Sequence, residues 1–480
     1  MKIVVVGGGT AGYVAALSMQ HKYPEYDITV IENSEIGIIG VGEATTVNFL
    51  QMLKNINVDL KEFMSAANAT IKLGTLFSNW NDENIDYFLP LIRPDKIYNK
   101  DYLGLISSAI KNDNCLSKID ENSIFALENK IPKSIEQING TLPAVHLDTH
   151  LCSRYLKKIA LLRNITIIDS FVQGFESDEE GNVKRVLLSD GGLDVDFIFD
   201  CSGFNRLIIG KFYKEPWISV NDMLPINQSV VGPAPINTDI PPYVKITAMN
   251  YGWSFQIPTS GRYGIGYNFD NNYISEEEAI LEVKNKINKN WEHAKTLKYN
   301  AGFYENHFIK NCIAVGLSGS FFEPLEATAI MTAVSIMNEF TEKFNEYVID
   351  KNKFRDSINE YIKNLEKDII AAIYVHYVTN KTNNGFWKNF TINNKMPKEV
   401  ENFLELMKTK IPPPNESTLV NKPGSFINDY FIKIYYGNGL RNFDVINQYN
   451  DKLYYQYLDI LNKNKFRWKD HKDLLDLVNQ

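Results

Sequence analysis

Three stretches of this chain carry residue types that can do chemistry. The first is Ile71-Lys72-Leu73-Gly74-Thr75-Leu76-Phe77-Ser78-Asn79-Trp80, whose alternation reads as a half-buried strand. Ile71, Leu73, Thr75 and Phe77 fall on one side, and Lys72, Gly74 and Leu76 on the other. Aimed into a cavity, Lys72 would lose its hydration and its proton, and a neutral amine is a nucleophile. The plain alternative is a gatekeeper lysine snorkelling out of an edge strand. The second stretch is Gly7-Gly8-Gly9-Thr10-Ala11-Gly12, a GxGxxG turn suited to a pyrophosphate. The third is Pro324-Leu325-Glu326-Ala327-Thr328-Ala329, where Glu326 stands beside a helix start. There it is either a working carboxylate or a first-turn acid worth about 0.3–1 kcal/mol.

The elements that position these stretches follow from the local pattern. Residues 2–6 read as a short apolar run, as in a strand buried on both faces, and lead directly into the glycine turn. Gly7 permits the tight turn, Gly9 admits a pyrophosphate, and Gly12 lets the following helix pack closely; Thr10 and Ala11 supply the first backbone amides of that helix. The next strand, Ile28-Thr29-Val30-Ile31, ends in Glu32, placed to accept from ribose hydroxyls. Strand, turn, helix and acid agree, and dinucleotide binding is expected. A second glycine segment, Gly40-Val41-Gly42-Glu43-Ala44-Thr45, lets backbone lie against a flat ligand.

Asn81 to Lys133 is polar and poorly periodic and reads as an insertion over the site. Asp148 is a candidate N-cap for the helix that follows. Strands are expected at 165–168, 171–175, 183–188 and 193–199, the last ending in Asp200-Cys201-Ser202-Gly203 beside the first strand. Residues 211–295 read as a mostly β layer holding Gly252-Trp253-Ser254-Phe255-Gln256-Ile257-Pro258, with residues 261–267 returning as its partner. A strand at 312–315 runs into Gly316 and then an apolar helix, a second strand–turn–helix unit whose free amides could hold a small anion. From residue 336 onward the chain reads as mainly helical, with a long helix near 353–378 and a break at Pro412-Pro413-Pro414.

Composition narrows the function classes. At 480 residues, 44% hydrophobic and 22% charged, the chain suits a globular protein. Net charge −8 and pI near 5.6 argue against nucleic-acid binding. No apolar run reaches a membrane span, and no leader precedes the first strand, so a cytoplasmic protein without a membrane partner is expected. Cys115, Cys152, Cys201 and Cys312 lack CxxC spacing and the seven histidines lack HxH or HExxH, so no metal site is expected.

Taken together, Gly7–Gly12, Gly40–Thr45, the Lys72 strand and Pro324–Ala329 resemble the flavin-dependent tryptophan halogenase family, and Trp253–Pro258 (WSFQIP) resembles its WxWxIP signature. The likeness covers about residues 1–345 clearly and the remainder loosely. It implies an α/β, FAD-binding Rossmann-like fold of the two-dinucleotide-binding, aromatic-hydroxylase type, with a β layer and a mainly helical C-terminal region. Residues 1–80, 140–210 and 296–345 would form the FAD module; 81–139, 211–295 and 346–480 would form the substrate module.

The resemblance also implies a mechanism. FADH2 from a separate reductase would react with O2 to a hydroperoxide, which oxidises halide (chloride, bromide or iodide) to hypohalous acid. Halide would sit on backbone near Thr328 and Ala329, and Gly316 and Leu325 would border the flavin. The hypohalous acid would travel to Lys72, and Glu326 would stabilise the cationic ring or accept its proton. Trp253, Phe255 and Pro258 would wall the aromatic substrate from the flavin. No second dinucleotide fingerprint is present, consistent with reductant arriving as free reduced flavin.

The chain departs from the family where Phe255 replaces a tryptophan and Ala329 replaces a common glycine. The family's amino-acid-binding tail does not map onto Tyr435-Tyr436-Gly437-Asn438-Gly439, which favours an indole-type or other electron-rich aromatic over strictly free tryptophan. An FAD-dependent aromatic hydroxylase is the alternative, and a non-catalytic flavoprotein the third class. A homo-oligomer is expected.

Overall fold

The computed structural model describes residues 1–36, 40, 42–91, 102–113, 116–133, 143–236, 239–414, 416–417, 426–449, 454–463 and 465–473. The apolar run at the start forms the strand Lys2–Val6 and takes the centre of a six-stranded sheet. Asp27–Glu32 and Phe197–Asp200 pair with it in parallel on either side; Thr166–Asp169 and Cys312–Ala314 extend the parallel ladder outward. Val6 lies opposite Ile31 and Asp200, so the carboxyl ends of these strands meet at the glycine turn, where α/β sheets bind ligands. Its faces are covered by the helices Thr10–Lys22, Thr149–Leu162 and Thr328–Ile349 and by a three-stranded meander, Val172–Ser177, Val183–Leu188 and Gly191–Asp194.

A seven-stranded sheet forms the second layer. Its hairpin Gly252–Pro258 with Tyr263–Phe269 pairs Pro258 with Tyr263 and Phe255 with Gly266. Gly74–Ser78 joins this sheet in parallel beside Tyr243–Met249 and antiparallel beside Tyr87–Pro90. The aromatic second core lies between this sheet and the C-terminal helices, with Phe77, Trp80, Tyr374, Tyr377 and Trp387 fully buried.

Several expectations change. The Ile71–Trp80 stretch is two strands and not one: Thr70–Lys72 belongs to a small sheet with Ala144–Leu147 and Glu43–Ala44, and Gly74–Ser78 to the large one. Both faces are covered, so residues 69–78 are all buried where half-burial was expected. Asn81 to Lys133 is not irregular either, because its described part includes the strand Tyr87–Pro90 and the helices Tyr102–Asp113 and Glu121–Leu127. Its apolar residues Leu105, Ile106, Ala109 and Ile110 are spaced for a helix and buried, a periodicity masked by the polar flanks. The expected 193–199 strand splits into Gly191–Asp194 and Phe197–Asp200, which serve different sheets. Asp148 does cap its helix, accepting from the His150 and Leu151 amides. The long C-terminal helix runs Lys351–His376.

Candidate active site

At the carboxyl end of the central sheet, Gly7 has φ +126°, a region L side chains rarely adopt, and a Cβ there would stand 2.1 Å from the Cys201 carbonyl oxygen. A Cβ on Gly12 would stand 1.9 Å from the Gly7 oxygen, so helix and strand touch as the motif requires. By contrast a Cβ on Gly9 would meet nothing within 4 Å. That open side lies at the N-cap of Thr10–Lys22, a helix start that no side chain caps. Glu32 carries the Tyr13 hydroxyl at 2.7 Å on Oε2 and Lys157 on Oε1. Each oxygen keeps a second lone pair, so the carboxylate is oriented while still able to accept.

The second glycine segment lies across from this turn. Gly40 backs onto Thr149, whose buried Oγ1 has no hydrogen-bond partner. Val41 lies outside the described residues. Gly42 has φ +135° and leads into Glu43, whose enclosed carboxyl is raised by burial to about 7. Ala44 is buried, and Thr45 is fixed by its N–H to the Val145 oxygen at 2.8 Å. The open Gly9 side, the uncapped helix start and the orphaned Thr149 hydroxyl together fit a large phosphate-bearing cofactor such as FAD.

Lys72 ends its strand 3% exposed, donating from Nζ to the Thr45 carbonyl oxygen at 3.1 Å. Burial lowers its pKa to about 8, and the charge of Glu326 opposes that shift only partly. The edge-strand gatekeeper does not apply: the strand is at an edge of its sheet, but its lysine is sealed inside.

Glu326 sits two residues before the helix Thr328–Ile349 and so is not a first-turn acid. Ala327 between them is the N-cap in the left-handed region at φ 55°, which turns the chain sharply between Glu326 and the helix. Glu326 Oε1 lies 2.8 Å from His376 Nε2 at ion-pair distance, off the hydrogen-bonding axis. His376 is fully buried, stacked on Phe77 at 4.7 Å, with the Tyr430 hydroxyl 3.0 Å from Nε2 and the Tyr87 hydroxyl 3.4 Å from Nδ1. Sequence reasoning missed His376. Its only local sign is that it ends the apolar run 369–375, where a polar residue is costly unless partnered.

The helix start after Glu326 faces the other way. Gly316, Phe321, Pro324, Thr328 and Ala329 line a small recess. Thr328 and Ala329 are the first helical residues, whose amides have no partner within the helix. A Cβ on Gly316 would stand 2.8 Å from Ala11 Cβ, which puts this recess against the first glycine turn. Leu325 instead packs its side chain into the aromatic core.

The Trp253 strand touches both the Lys72 strand and the second glycine segment. Trp253 is fully buried and its ring lies 6.3 Å from that of Phe255. Phe255 lies over Gly266, where a Cβ would come within 2.4 Å of the ring. The Pro258 oxygen accepts from Thr70 Oγ1 at 2.7 Å, joining this strand to the one that carries Lys72. Trp253 Nε1 donates to Glu323 Oε2 at 2.7 Å, a partner sequence reasoning did not single out.

The parallel sheet and the glycine turn at its carboxyl end define a nucleotide-binding α/β protein, with a buried amine set apart from that turn. The tryptophan halogenase family model matches residues 2–450, and the chain belongs to that family, as an enzyme of the flavin-dependent halogenase class. It is 27% identical to a 7-chloro-L-tryptophan 6-halogenase from Kutzneria sp. (strain 744), over 85% of each chain. It is 26% identical to a tryptophan 7-halogenase from Lentzea aerocolonigenes, over 95% of this chain and 88% of the other. Among solved structures, a tryptophan C-6 flavin-dependent halogenase from taromycin biosynthesis shares the fold with TM-score 0.91 at 23% identity, covering all of both chains. No helix among the described residues is long and apolar enough to cross a membrane.

Proposed function

We propose that the protein halogenates an electron-rich, indole-type aromatic by passing hypohalous acid to Lys72. The observation that carries this reading is the sealed Lys72 amine: it is held by a backbone carbonyl, makes no ion pair among the described residues, and has a pKa near 8. FAD would be held by Gly7, Gly9, Thr10, Ala11, Gly12, Glu32, Gly40, Val41, Gly42, Glu43, Ala44 and Thr45, bordered by Gly316. As FADH2 from a separate reductase, with O2, it supplies the oxidising equivalents that convert chloride, bromide or iodide to hypohalous acid. Thr328 and Ala329 would hold the halide with their free amides, which point positive charge at an anion.

The neutral Lys72 amine takes the halogen from hypohalous acid, with an N–halogen bond formed and water released. The aromatic carbon then attacks that halogen, and the N–halogen bond breaks with its electron pair passing to nitrogen, which takes a proton to restore the amine. The ring carries a positive charge until it loses a proton. Glu326 lowers the energy of that charge in a dry site and accepts the proton through its unshared oxygen. His376 holds Glu326 from behind. Trp253, Phe255 and Pro258 keep the substrate from the flavin side, which sets halogenation above the hydroxylase alternative.

The test is purified protein with FAD, a flavin reductase, NADH and an indole panel, with and without bromide. A product mass shift that requires halide and vanishes in Lys72→Ala is expected. Gain of oxygen without halide would overturn the reading.

A further inference from the structure

Three residues before Glu326, a second carboxylate is buried in the same loop. Glu323 is fully enclosed, and one of its oxygens, Oε2, accepts from both Trp253 Nε1 at 2.7 Å and the Tyr377 hydroxyl. The other oxygen is buried with no partner. Tyr377 directly follows His376, the residue against Glu326, and stacks on Phe390 with ring centroids 4.1 Å apart. Adjacent residues at the end of one helix therefore grip the two carboxylates of one loop. Trp253 is also the only tryptophan of its signature strand, since Phe255 has no indole N–H to anchor the wall.

We infer that Glu323 is a positioning residue for the halogenation reaction, locking the Trp253 wall to the Glu326 loop through its two hydrogen bonds. This rests on the function proposed above and assigns Glu323 no contact with substrate. A bare buried carboxylate costs several kcal/mol unless its neighbours repay it, which makes a core filler a poor account of the group. Its pKa is raised by burial to about 7, against the opposing pull of Tyr377 and Trp253. A carboxyl so easily neutral needs its geometry more than its charge, so an amide of the same shape should replace it.

The experiment compares Glu323→Gln with Glu323→Leu in the full chain. It reads haloarene formed per O2 consumed, thermal melting, and the emission of Trp253 obtained by subtracting the matching Trp253→Phe spectrum. In Glu323→Gln, both coupling and emission should stay within about twofold of wild type, because the amide oxygen still accepts from both donors. In Glu323→Leu, coupling should fall about tenfold and the Trp253 emission should change, while the melting transition stays cooperative. If Glu323→Leu fails to fold, Tyr377→Phe removes one donor and should show a smaller fall in coupling. Unchanged coupling in Glu323→Leu overturns the proposal, and so does an equal loss in Glu323→Gln, which would make charge the operative property. Were wild type to form no haloarene, the functional reading would fail alone: the Trp253 emission, shifted by Leu and kept by Gln, would still decide the tether.

Discussion

Lys72 and Lys433 are equally buried, each 3% exposed, and their surroundings are opposite. Lys433 reaches Asp429 at 2.9 Å and Asp120 at 3.7 Å, and the Tyr102 hydroxyl donates to Asp429 at 2.5 Å. Asp120 also caps the helix Glu121–Leu127 through the Ser123 amide. That node sews the helix Asn428–Gly437 to the helices Tyr102–Asp113 and Glu121–Leu127. Lys72 has a backbone carbonyl and one more distant carboxylate. Two equally buried lysines thus contrast anchor and amine: paired charges hold structure, and an amine without an ion pair among the described residues gives up its proton more readily.

Substitutions should break this contrast in order of size. Lys72→Ala should lower halogenation by about 10³-fold or more, read by product mass spectrometry, if Lys72 supplies the transferring nitrogen as proposed. Lys433→Met should cost about 3–5 kcal/mol in denaturant unfolding, because it removes the cation that two buried aspartates share. Lys72→Met should do the reverse and add about 2–3 kcal/mol at pH 7. The folded pKa of Lys72, about 8, lies below the unfolded value of 10.5. Its burial therefore costs stability in full below about pH 8, and the cost fades as pH rises toward 10.5. The stability gap between Lys72→Met and wild type should narrow across that window; a gap independent of pH would place Lys72 in an ordinary environment.

Smaller effects sharpen the same contrast. Glu326→Gln should lower turnover about 10²-fold with KM little changed, as expected for a group acting on transition-state charge. If Lys72 must be neutral, turnover should rise with pH and level off above about 8, provided flavin reduction is kept in excess. Ala327→Gly should raise stability by up to about 1 kcal/mol, since glycine adopts φ 55° without strain, and melting temperature reports it.

The sequence-local features were legible. Gly7–Gly12 with Glu32, the WSFQIP hairpin and the Asp148 cap each lie within one or two adjoining elements, where spacing alone constrains geometry. What spacing does not show is which elements meet. His376 is 50 residues from Glu326, and Tyr377 is 54 from Glu323. Both pairs arise because the Lys351–His376 helix packs back on the loop, which no local periodicity announces. The strand that carries Lys72 reads as half-buried for the same reason: alternation tells that two faces differ, and a sheet covered on both sides removes the water from each.

The break at Leu73 has a further consequence. On one side of it Ile71 is in register with Val145, and on the other Gly74 is in register with Tyr243, while the Leu73 amide itself donates to Pro242 at 2.7 Å. The lysine is therefore measured by two independent rulers, one from each sheet. Side chains from Thr70 to Ser78 can be exchanged for others of similar volume, but the count of residues between the rulers cannot change. A single insertion or deletion there would displace the amine by a full pleat and leave both sheets otherwise intact, a folded protein with its buried nitrogen at the wrong address.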